Sequence, residues 1–464
     1  MSSIASFTAR GEKVLGSSSA RLSSGSALPH GGASEPGQGA LVILAATVAL
    51  LPVITPKLPG NAAPIDGLMA ATVFAVFVWA LRTKATVRVP YVVPTTALML
   101  VGAASALLSI LPGSGAVAVA QEVFLLGWCA AVATLCRTPR ALGIVLRTWA
   151  VSATAWAGLL IVVVAAGVGG PLTATNGGGV RYQMLFDHPN MAGNFFVIAM
   201  FVVVACGYPG RLWLRSAFIG VLFVGTLLTG SNAALLSLVA GALVTLFMHV
   251  RVRSGLIKAT AVTSLLVGGL AVSWLQVGEP LLASASQSDN PLLRYSVGRG
   301  ADSAEGRVDL FSSQFELYER GHLLGIGPTA TQDTLNATAA PIVKEAHSDY
   351  LGTLVERGPF GLLAVFGLMG VIVARIVALS RRPLPPRLAA AIPVPAALAG
   401  ACAAFAATAV THEVLHYRWL WLLLGIIAAV HLLQGAKPGS PVGAGSIARV
   451  PRRPRPPRAP SSAR

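Results

Sequence analysis

Charged residues are scarce in this chain. Only 11% of its 464 residues are charged, whereas 54% are hydrophobic and the mean hydropathy is +0.71. A soluble protein has about a quarter of its residues charged, which keeps its surface hydrated. The composition therefore excludes a soluble multidomain protein and predicts an integral membrane protein.

Cysteine is also rare, and an apolar segment of the kind found in cleaved signal peptides is missing from residues 1–40, which are rich in Ser, Gly and Ala. We expect residues 1–40 to form a disordered cytoplasmic tail. The cysteines lie inside or at the ends of apolar stretches without C-x-x-C spacing, which indicates neither a disulfide framework nor a thiolate metal site. They are Cys129, Cys136, Cys206 and Cys402.

Acidic residues are few: 17 stand against 34 Lys and Arg, which gives a net charge of +17. The basic residues are spread over short connections and the final stretch "RVPRRPRPPRAPSSAR". A Pro-rich basic segment beside a membrane favours contact with anionic lipid headgroups over nucleic acid. We expect residues 435–464 to form a disordered, basic cytoplasmic tail, with membrane lipids and no nucleic acid as partners.

Long apolar stretches predict an all-α polytopic protein with about twelve transmembrane helices, because a helix needs about 20 apolar residues to cross a bilayer. The stretches begin near Leu41, Ile65, Val93, Ala116, Trp149, Asn190, Ser216, Ser231, Thr260, Gly358, Leu388 and Tyr417. They predict nine helices in residues 41–277 and three in residues 358–434.

Basic residues recur in every second connection, which is typical of cytoplasmic loops. They include Arg82, Lys84, Arg88, Arg137, Arg140, Arg211, Arg215, Arg251, Arg253, Lys258, Arg381, Arg382 and Arg387. This pattern predicts a multi-pass protein of the cytoplasmic (inner or plasma) membrane with both termini in the cytoplasm.

Residues 278–357 predict a large, partly helical extracytoplasmic loop that holds most of the acidic residues. Its stretch "GRVDLFSSQFELYERG" has the apolar spacing of an amphipathic helix ended by Gly321. The stretch "IVKEAHSDYLGTLVERG" predicts a second such helix, with His347, Tyr350 and Leu351 on its packed face. Polar loops on a rigid scaffold are a common place for function.

A second polar loop, "NGGGVRYQMLFDHPNMAGNFF", carries Arg181, Asp187, His188 and Asn190 where the chain re-enters the membrane. Pro189 fits the first turn of a helix, with Asp187 or His188 near its cap. A capping loop without further function is one interpretation. The density of polar groups leading into an apolar helix favours a functional site.

Two patterns leave other functions open. The stretch "THEVLHYRWLW" places His412, Glu413 and His416 in the H-E-x-x-H spacing of zinc proteases, but no third ligand segment accompanies it. Glu122, beside Gln121 in the fourth span, lacks the paired intramembrane charges expected of a transporter or lipid-linked oligosaccharide flippase. The aromatic residues after His416 predict an interfacial belt.

The chain resembles the O-antigen ligase and O-antigen polymerase superfamily of bacterial membrane glycosyltransferases. The resemblance covers about residues 170–430 and rests on "VRYQMLFDHPNMAGNFF", "GRVDLFSSQFELYERGHLLGIGP" with its Gly-x-Gly turn, and "AHSDYLGTLVERGPFGLL". "HYRWLWLLLGI" is similar to the start of the last helix in such proteins. The resemblance implies metal-independent, cofactor-free, inverting transfer of a glycan from a polyprenyl diphosphate to a glycan, lipid or wall acceptor on the outer membrane face.

The resemblance also implies roles for individual residues. His347 is expected to be the catalytic base on the acceptor hydroxyl, since imidazole titrates near neutrality. Arg181 and Arg307 are expected to bind the donor diphosphate, which guanidinium groups hold well. Supporting roles are expected for Asp187, His188, Asn190, Asp349, Tyr350, Glu356 and Arg418.

The chain departs from the family pattern at two positions. Ser231, Asn232 and Ala233 stand where many members have Ser-Arg-Gly, so one phosphate-binding arginine is missing. Arg181, Arg294 and Arg299 are candidates to replace it. The family's His-Asn pair is here His347 and Ser348.

Overall fold

The computed structural model describes residues 37–58, 62–176, 181–289, 294, 300–321, 323–337, 347–381 and 383–435, with only the backbone for residues 176 and 300–309. These residues form an all-α protein, as predicted, apart from one short hairpin. The helices are α1 Gln38–Ala49, α2 Pro64–Thr83, α3 Val92–Leu108, α4 Pro112–Leu135, α5 Pro139–Ala165, α6 Pro189–Cys206, α7 Leu212–Leu228, α8 Asn232–Ser254, α9 Leu256–Ser286, α10 Gly300–Glu319, α11 Thr331–Ala337, α12 Asp349–Arg381, α13 Pro386–Ala391, α14 Ala396–Ala409 and α15 Arg418–Gly435. The hairpin pairs β1 Thr175–Asn176 with β2 Arg181–Tyr182.

Eight of the described helices are long and apolar enough to cross a membrane, and four further apolar helices are shorter. The protein is therefore an integral membrane protein. The long helices are α2, α4, α5, α6, α8, α9, α12 and α15, and the shorter ones are α1, α3, α7 and α14. The number of spans stays a prediction.

Helix α6 forms the centre of the bundle. In its apolar window, 94% of the residues are buried inside the protein, against 6% for α9. A helix that is apolar on every side and surrounded by protein belongs to the core. Phe186, Phe195 and Trp419 pack edge to face or tilted around it, with ring centroids 5.4–5.6 Å apart.

The helix connections gather at two ends of the bundle. At one end, Thr55 N–H donates to the Leu185 carbonyl, 2.9 Å away, so the connections at 50–63 and 166–188 meet there. At the other, Arg137 donates to the Thr86 carbonyl at 2.8 Å, which joins the connections at 84–91 and 136–138. We call the first the site end, which also includes the connection at 410–417, and the second the basic end.

Helix α12 is kinked at Gly358, whose φ of 65° is followed by Pro359. A kink leaves carbonyl groups without their helical partners, and these are costly to bury. Here the carbonyls of Val355 and Glu356 accept hydrogen bonds from the N–H groups of Ile326 and Gly327, at 3.0 and 2.9 Å. The predicted Gly-x-Gly turn thus docks on the kink and stabilises it.

The two helices predicted in the large loop have different outcomes. The first is confirmed as α10, although it begins earlier, at Gly300. The second prediction is wrong for the end that carries His347, since α12 begins at Asp349 and His347 lies in a bend before it. The first residues of this predicted segment fall within residues 338–346, which lie outside the described residues.

The predicted interfacial aromatic belt is also wrong. Tyr417, Trp419 and Trp421 are 3%, 0% and 2% exposed and belong to the core. The indole N–H of Trp419 donates to Asn194 Oδ1 at 2.8 Å, and that of Trp421 donates to the Leu415 carbonyl at 2.7 Å. These rings are buried because their polar atoms find partners inside the bundle.

Replacement of Gly325 by alanine tests the docking of the Gly-x-Gly turn on the α12 kink. Gly325 has a φ of 76°, and a Cβ there would lie 2.3 Å from the carbonyl carbon of Glu356. We expect Gly325→Ala to destabilise the protein by about 1–3 kcal/mol or more, from the backbone conformation and the clash together. The measurement is thermal unfolding in detergent, with Gly370→Ala as control because its Cβ would meet nothing within 4 Å. Equal unfolding midpoints for the two variants would contradict the docking.

Candidate active site

Arg181 lies on β2 and turns its side chain into the bundle, where it is 7% exposed. Its Nε donates to the Thr229 carbonyl at 3.3 Å, and its Nη2 donates to Asn190 Oδ1 at 2.8 Å. Thr229 ends α7, next to the turn where Asn232 replaces the arginine of the family pattern. The guanidinium of Arg181 thus contacts the residue three positions before Asn232.

Asn190 connects three parts of the site end. Besides accepting from Arg181, its Nδ2 is hydrogen-bonded to Nε2 of His412 in the connection between α14 and α15. Its backbone N–H donates to His188 Nδ1 at 3.1 Å. His188 is therefore the N-cap of α6, and the prediction that Asp187 or His188 would lie near this cap is confirmed.

Three histidines come together around His412. Its ring centroid lies 6.2 Å from that of His188 and 6.0 Å from that of His347. Thr411 Oγ1 lies 3.1 Å from His412 Nδ1, so both ring nitrogens of His412 have partners. His412 is 8% exposed, whereas His347 is half-buried. We call His188, His347 and His412 the histidine cluster.

This geometry is unlike that of a zinc protease. The H-E-x-x-H motif needs a helix to bring its two histidines onto one face, but residues 410–417 form turns between α14 and α15. His412 bonds to Asn190, while His416 faces a cavity. Within the described part of the chain, no three His, Cys, Asp or Glu side chains are grouped as metal ligands.

A polar cavity of about 230 Å³ lies beside the histidine cluster at the site end. We call it the site cavity. The loops that hold the cluster also line it, through the neighbouring residues Asp187, Ser348 and Glu413. Helices α3, α4 and the first part of α12 form its other walls, and the Gly-x-Gly loop adds Pro328 and Thr329.

Ion pairs fix the walls of the site cavity. Lys57 and Asp187 lie 2.7 Å apart and are each almost half exposed. Arg418 binds Asp66 bidentately, with both N···O distances at 2.6 Å, and so ties the start of α15 to the start of α2. Arg418 is thus held as a structural residue that borders the cavity.

Deeper in the bundle, Arg357 of α12 pairs with Glu122 of α4 and donates to the Leu98 carbonyl at 3.4 Å. Glu122 is therefore not isolated, which the sequence interpretation had missed. The pair borders the site cavity on its membrane side. Such a buried pair needs further hydrogen bonds to offset the loss of hydration.

Three further predicted residues, Asp349, Tyr350 and Glu356, do not all face the site cavity. Asp349 is 5% exposed and accepts from the N–H groups of Val414 and Leu415 at 2.8 and 3.3 Å, so it holds the histidine-bearing connection in place. Glu356 lines the cavity and accepts from Thr331 Oγ1 at 2.9 Å. Tyr350 instead donates to the Ala406 carbonyl and faces a different, apolar groove.

Two groups in the connection at 410–417 have shifted pKa values. His416 is exposed to the site cavity, and partial desolvation by the surrounding protein, followed by the positive charges of Arg418 and Lys57, lowers its pKa. It is therefore neutral near pH 7. Burial, helped by the nearby carboxylates of Asp349 and Glu413, raises the pKa of Tyr417, which also stays neutral.

Arg307 belongs to α10, but its side chain lies outside the described residues, as do Arg299 and its surroundings. Helix α10 itself is anchored on α12 through a small apolar cluster of Leu317, Leu335 and Val355. The structure therefore brings together Arg181, His188, Asn190 and His347, and places Asp187, Asp349, Glu356 and Arg418 beside them. Arg294 is exposed.

Comparison with known proteins supports one family. A family model described as O-Antigen ligase matches residues 217–366, from α7 into α12, which include Arg307 and His347. No curated protein matches the chain significantly. Proteins of that family are glycosyltransferase-like ligases and polymerases that act on a lipid-linked glycan and an acceptor, and the apolar helices of this chain agree with the membrane location of such proteins. The resemblance to the O-antigen ligase superfamily is thus confirmed over residues 217–366, where the chain is similar to the O-antigen ligase family.

Proposed function

We propose that the protein transfers a glycan from a polyprenyl diphosphate to an acceptor hydroxyl at the site end, with inversion and without metal. One observation carries the proposal: Asn190 links the guanidinium of Arg181 to the histidine cluster beside a polar cavity. A group that binds leaving anions and a group that accepts protons are thereby held together. The basic residues of the connections at the opposite end support an outer-face location for the site end.

Arg181 binds the donor diphosphate. Its Nη2 and Nε use Asn190 and the Thr229 carbonyl, which fixes the plane of the guanidinium, and a guanidinium is a group that binds phosphate oxygens well. Fixed donors aimed at developing charge are a large part of many catalytic effects. Arg307, on a helix of the matched domain, is the second cation for the same group.

His347 removes the proton of the acceptor hydroxyl. As that O–H bond breaks, the acceptor oxygen attacks the anomeric carbon, the bond from this carbon to the phosphate oxygen breaks, and the diphosphate leaves with the electron pair. His347 is the more exposed ring of the pair it forms with His412. His412, whose two nitrogens already have partners, is a positioning residue for His347.

The site cavity holds the acceptor sugar. Carboxylate and amide groups such as Glu356, Glu413 and Gln121 line it, and these groups bind sugar hydroxyls well. Trp421 supplies an apolar wall of the kind that packs on sugar rings. A flippase would use a continuous polar path instead, whereas the intramembrane pair of Glu122 and Arg357 is bound to itself.

Substitution of the two histidines distinguishes a base from a positioning residue. We expect His347→Ala to lower glycan transfer by about 10²- to 10⁴-fold, the usual contribution of a general base. His412→Ala should lower transfer less and shift the pH profile of the rate, because the proton acceptor remains but loses its neighbour. The measurement is product formation in detergent micelles, where a flippase alone gives no product. Wild-type transfer by His347→Ala would refute the assignment.

Two buried asparagines on α6 provide a matched test of the Asn190 link. Asn190 and Asn194 are 8% and 0% exposed, and each has two side-chain partners. Alanine at either position should cost about 1–3 kcal/mol of stability, because buried partners lose hydrogen bonds. Only Asn190→Ala should also lower transfer, by about 10²-fold, as expected for misplaced reacting groups. Equal activity of the two variants at a permissive temperature would contradict the link.

Replacement of Glu413 by glutamine tests the acceptor site. The change keeps the size of a side chain that lines the site cavity but removes its charge. We expect the KM for the acceptor to rise while the KM for the donor is unchanged, because the two substrates occupy different sides of the histidine cluster. The control is Glu316→Gln, which breaks an exposed pair with Arg320 on α10. A rise confined to the donor KM would place the donor in this cavity.

A further inference from the structure

A second cavity lies at the opposite, basic end of the bundle. It has a volume of about 470 Å³ and is formed by the ends of α8 and α12 and by the segment from 383 to 399. Its polar rim carries His249, Arg253, Ser380 and Arg381. Ser380 donates to the Ile376 carbonyl of its own helix, so the cations are the groups that face the opening.

An apolar groove of about 440 Å³ continues from this cavity into the bundle between α8, α12, α14 and α15. The cavity and the groove share Met248, Ile376 and Ala399, so they form one path. Apart from Arg251 at one end and Asp349 and Tyr350 at the other, the groove is lined by apolar side chains and Cys402. We call this path the lipid groove.

The part of the lipid groove near the basic end is about as long as one leaflet of a bilayer is thick. From Leu368 to Arg381 on α12 the helical rise is about 20 Å, at about 1.5 Å per residue. Half of the hydrocarbon core of a bilayer is about 15 Å thick. An acyl chain whose headgroup lies at the level of Arg381 therefore reaches the middle of the groove.

The two ends of the groove differ in charge. Arg251, Arg253 and Arg381 border the basic end, whereas Asp349 is the ionisable residue at the site end. Asp349 is bound to backbone N–H groups as an acceptor, and Tyr350 gives its hydrogen to the Ala406 carbonyl. Among the described residues that line the groove, those at the site end thus include no cation for an anionic headgroup, whereas those at the basic end include several.

We propose that the lipid groove is a specific site for an anionic phospholipid of the leaflet at the basic end. The phosphate binds Arg253 and Arg381, and one acyl chain lies along Ile376, Met369 and Ala403. Basic pockets between transmembrane helices on the cytoplasmic side are suited to such headgroups. The proposal does not depend on the transferase function, because the groove and the site cavity are lined by different cations.

The test uses the full-length protein purified in neutral detergent. Phosphatidylglycerol and phosphatidylcholine with identical acyl chains are titrated as mixed micelles, and bound lipid is counted by native mass spectrometry alongside the thermal midpoint. We expect phosphatidylglycerol to bind at least 10-fold more tightly. The double variant Arg253→Gln/Arg381→Gln should weaken it by about 30-fold, at about fivefold per cation. The control Arg82→Gln/Lys84→Gln removes the same charge from exposed residues at the same end.

A second variant tests the contribution of the apolar groove separately from that of the arginine charges. Ala403→Phe fills the apolar part and keeps both arginines, so it should also weaken phosphatidylglycerol binding. Circular dichroism and the midpoint in lipid-free detergent check that each variant is folded. Equal binding of the two lipids, equal loss in the charge control, or displacement by free glycerol phosphate would overturn the proposal. So would occupancy of the groove by polyprenyl phosphate that survives the double arginine change.

Discussion

The hydrogen bonds of Asn190 are the interaction on which the site end depends. This one side chain joins the hairpin loop through Arg181 and the connection between α14 and α15 through His412, while its N–H joins the cap at His188. His412 is 222 residues from Asn190 in sequence, and the joined segments carry most of the candidate chemistry. The junction therefore fixes the orientation of their polar side chains relative to one another.

The junction is stable because it is buried where α6 enters the core. An unpaired amide or imidazole in such a place would cost several kcal/mol, so the polar groups select one another as partners. The same constraint explains Asn194 one turn deeper, which is satisfied by Thr408 and Trp419, and the pair of Glu122 with Arg357. Polar residues within the apolar helices thus fix which helices are neighbours, whereas apolar packing alone would tolerate several arrangements.

Local features of this protein were predictable from sequence. The all-α character of the apolar stretches, the start of α6 at Pro189 and the helix ended near Gly321 all depend on residues close together in the chain, and these predictions were confirmed. The charge pattern also placed Arg181, His188 and His347 at one end of the bundle. Each of these sequence patterns lies within a single segment of the chain.

The missed features depend on contacts between distant segments. His412 is 222 residues from Asn190, and Arg357 is 235 residues from Glu122. The H-E-x-x-H spacing drew attention to His412, but its residues form turns instead of the helix that the zinc-protease motif requires. The aromatic residues that follow were expected at the interface, but polar partners for their indole groups exist only inside the folded bundle. A pattern of residue types cannot reveal such partners.

Charge divides the site end in a way that suits the proposed reaction. The guanidinium of Arg181 is held by Asn190, whereas Glu356 and Glu413 line the site cavity. The cations of that cavity, Lys57, Arg357 and Arg418, are each paired with a carboxylate. Carboxylates repel a leaving diphosphate but accept hydrogen bonds from sugar hydroxyls. The same electric field therefore favours the donor phosphate near Arg181 and the neutral acceptor in the cavity. In the proposed reaction, His347, beside His412, takes the proton of the acceptor as negative charge develops on the diphosphate.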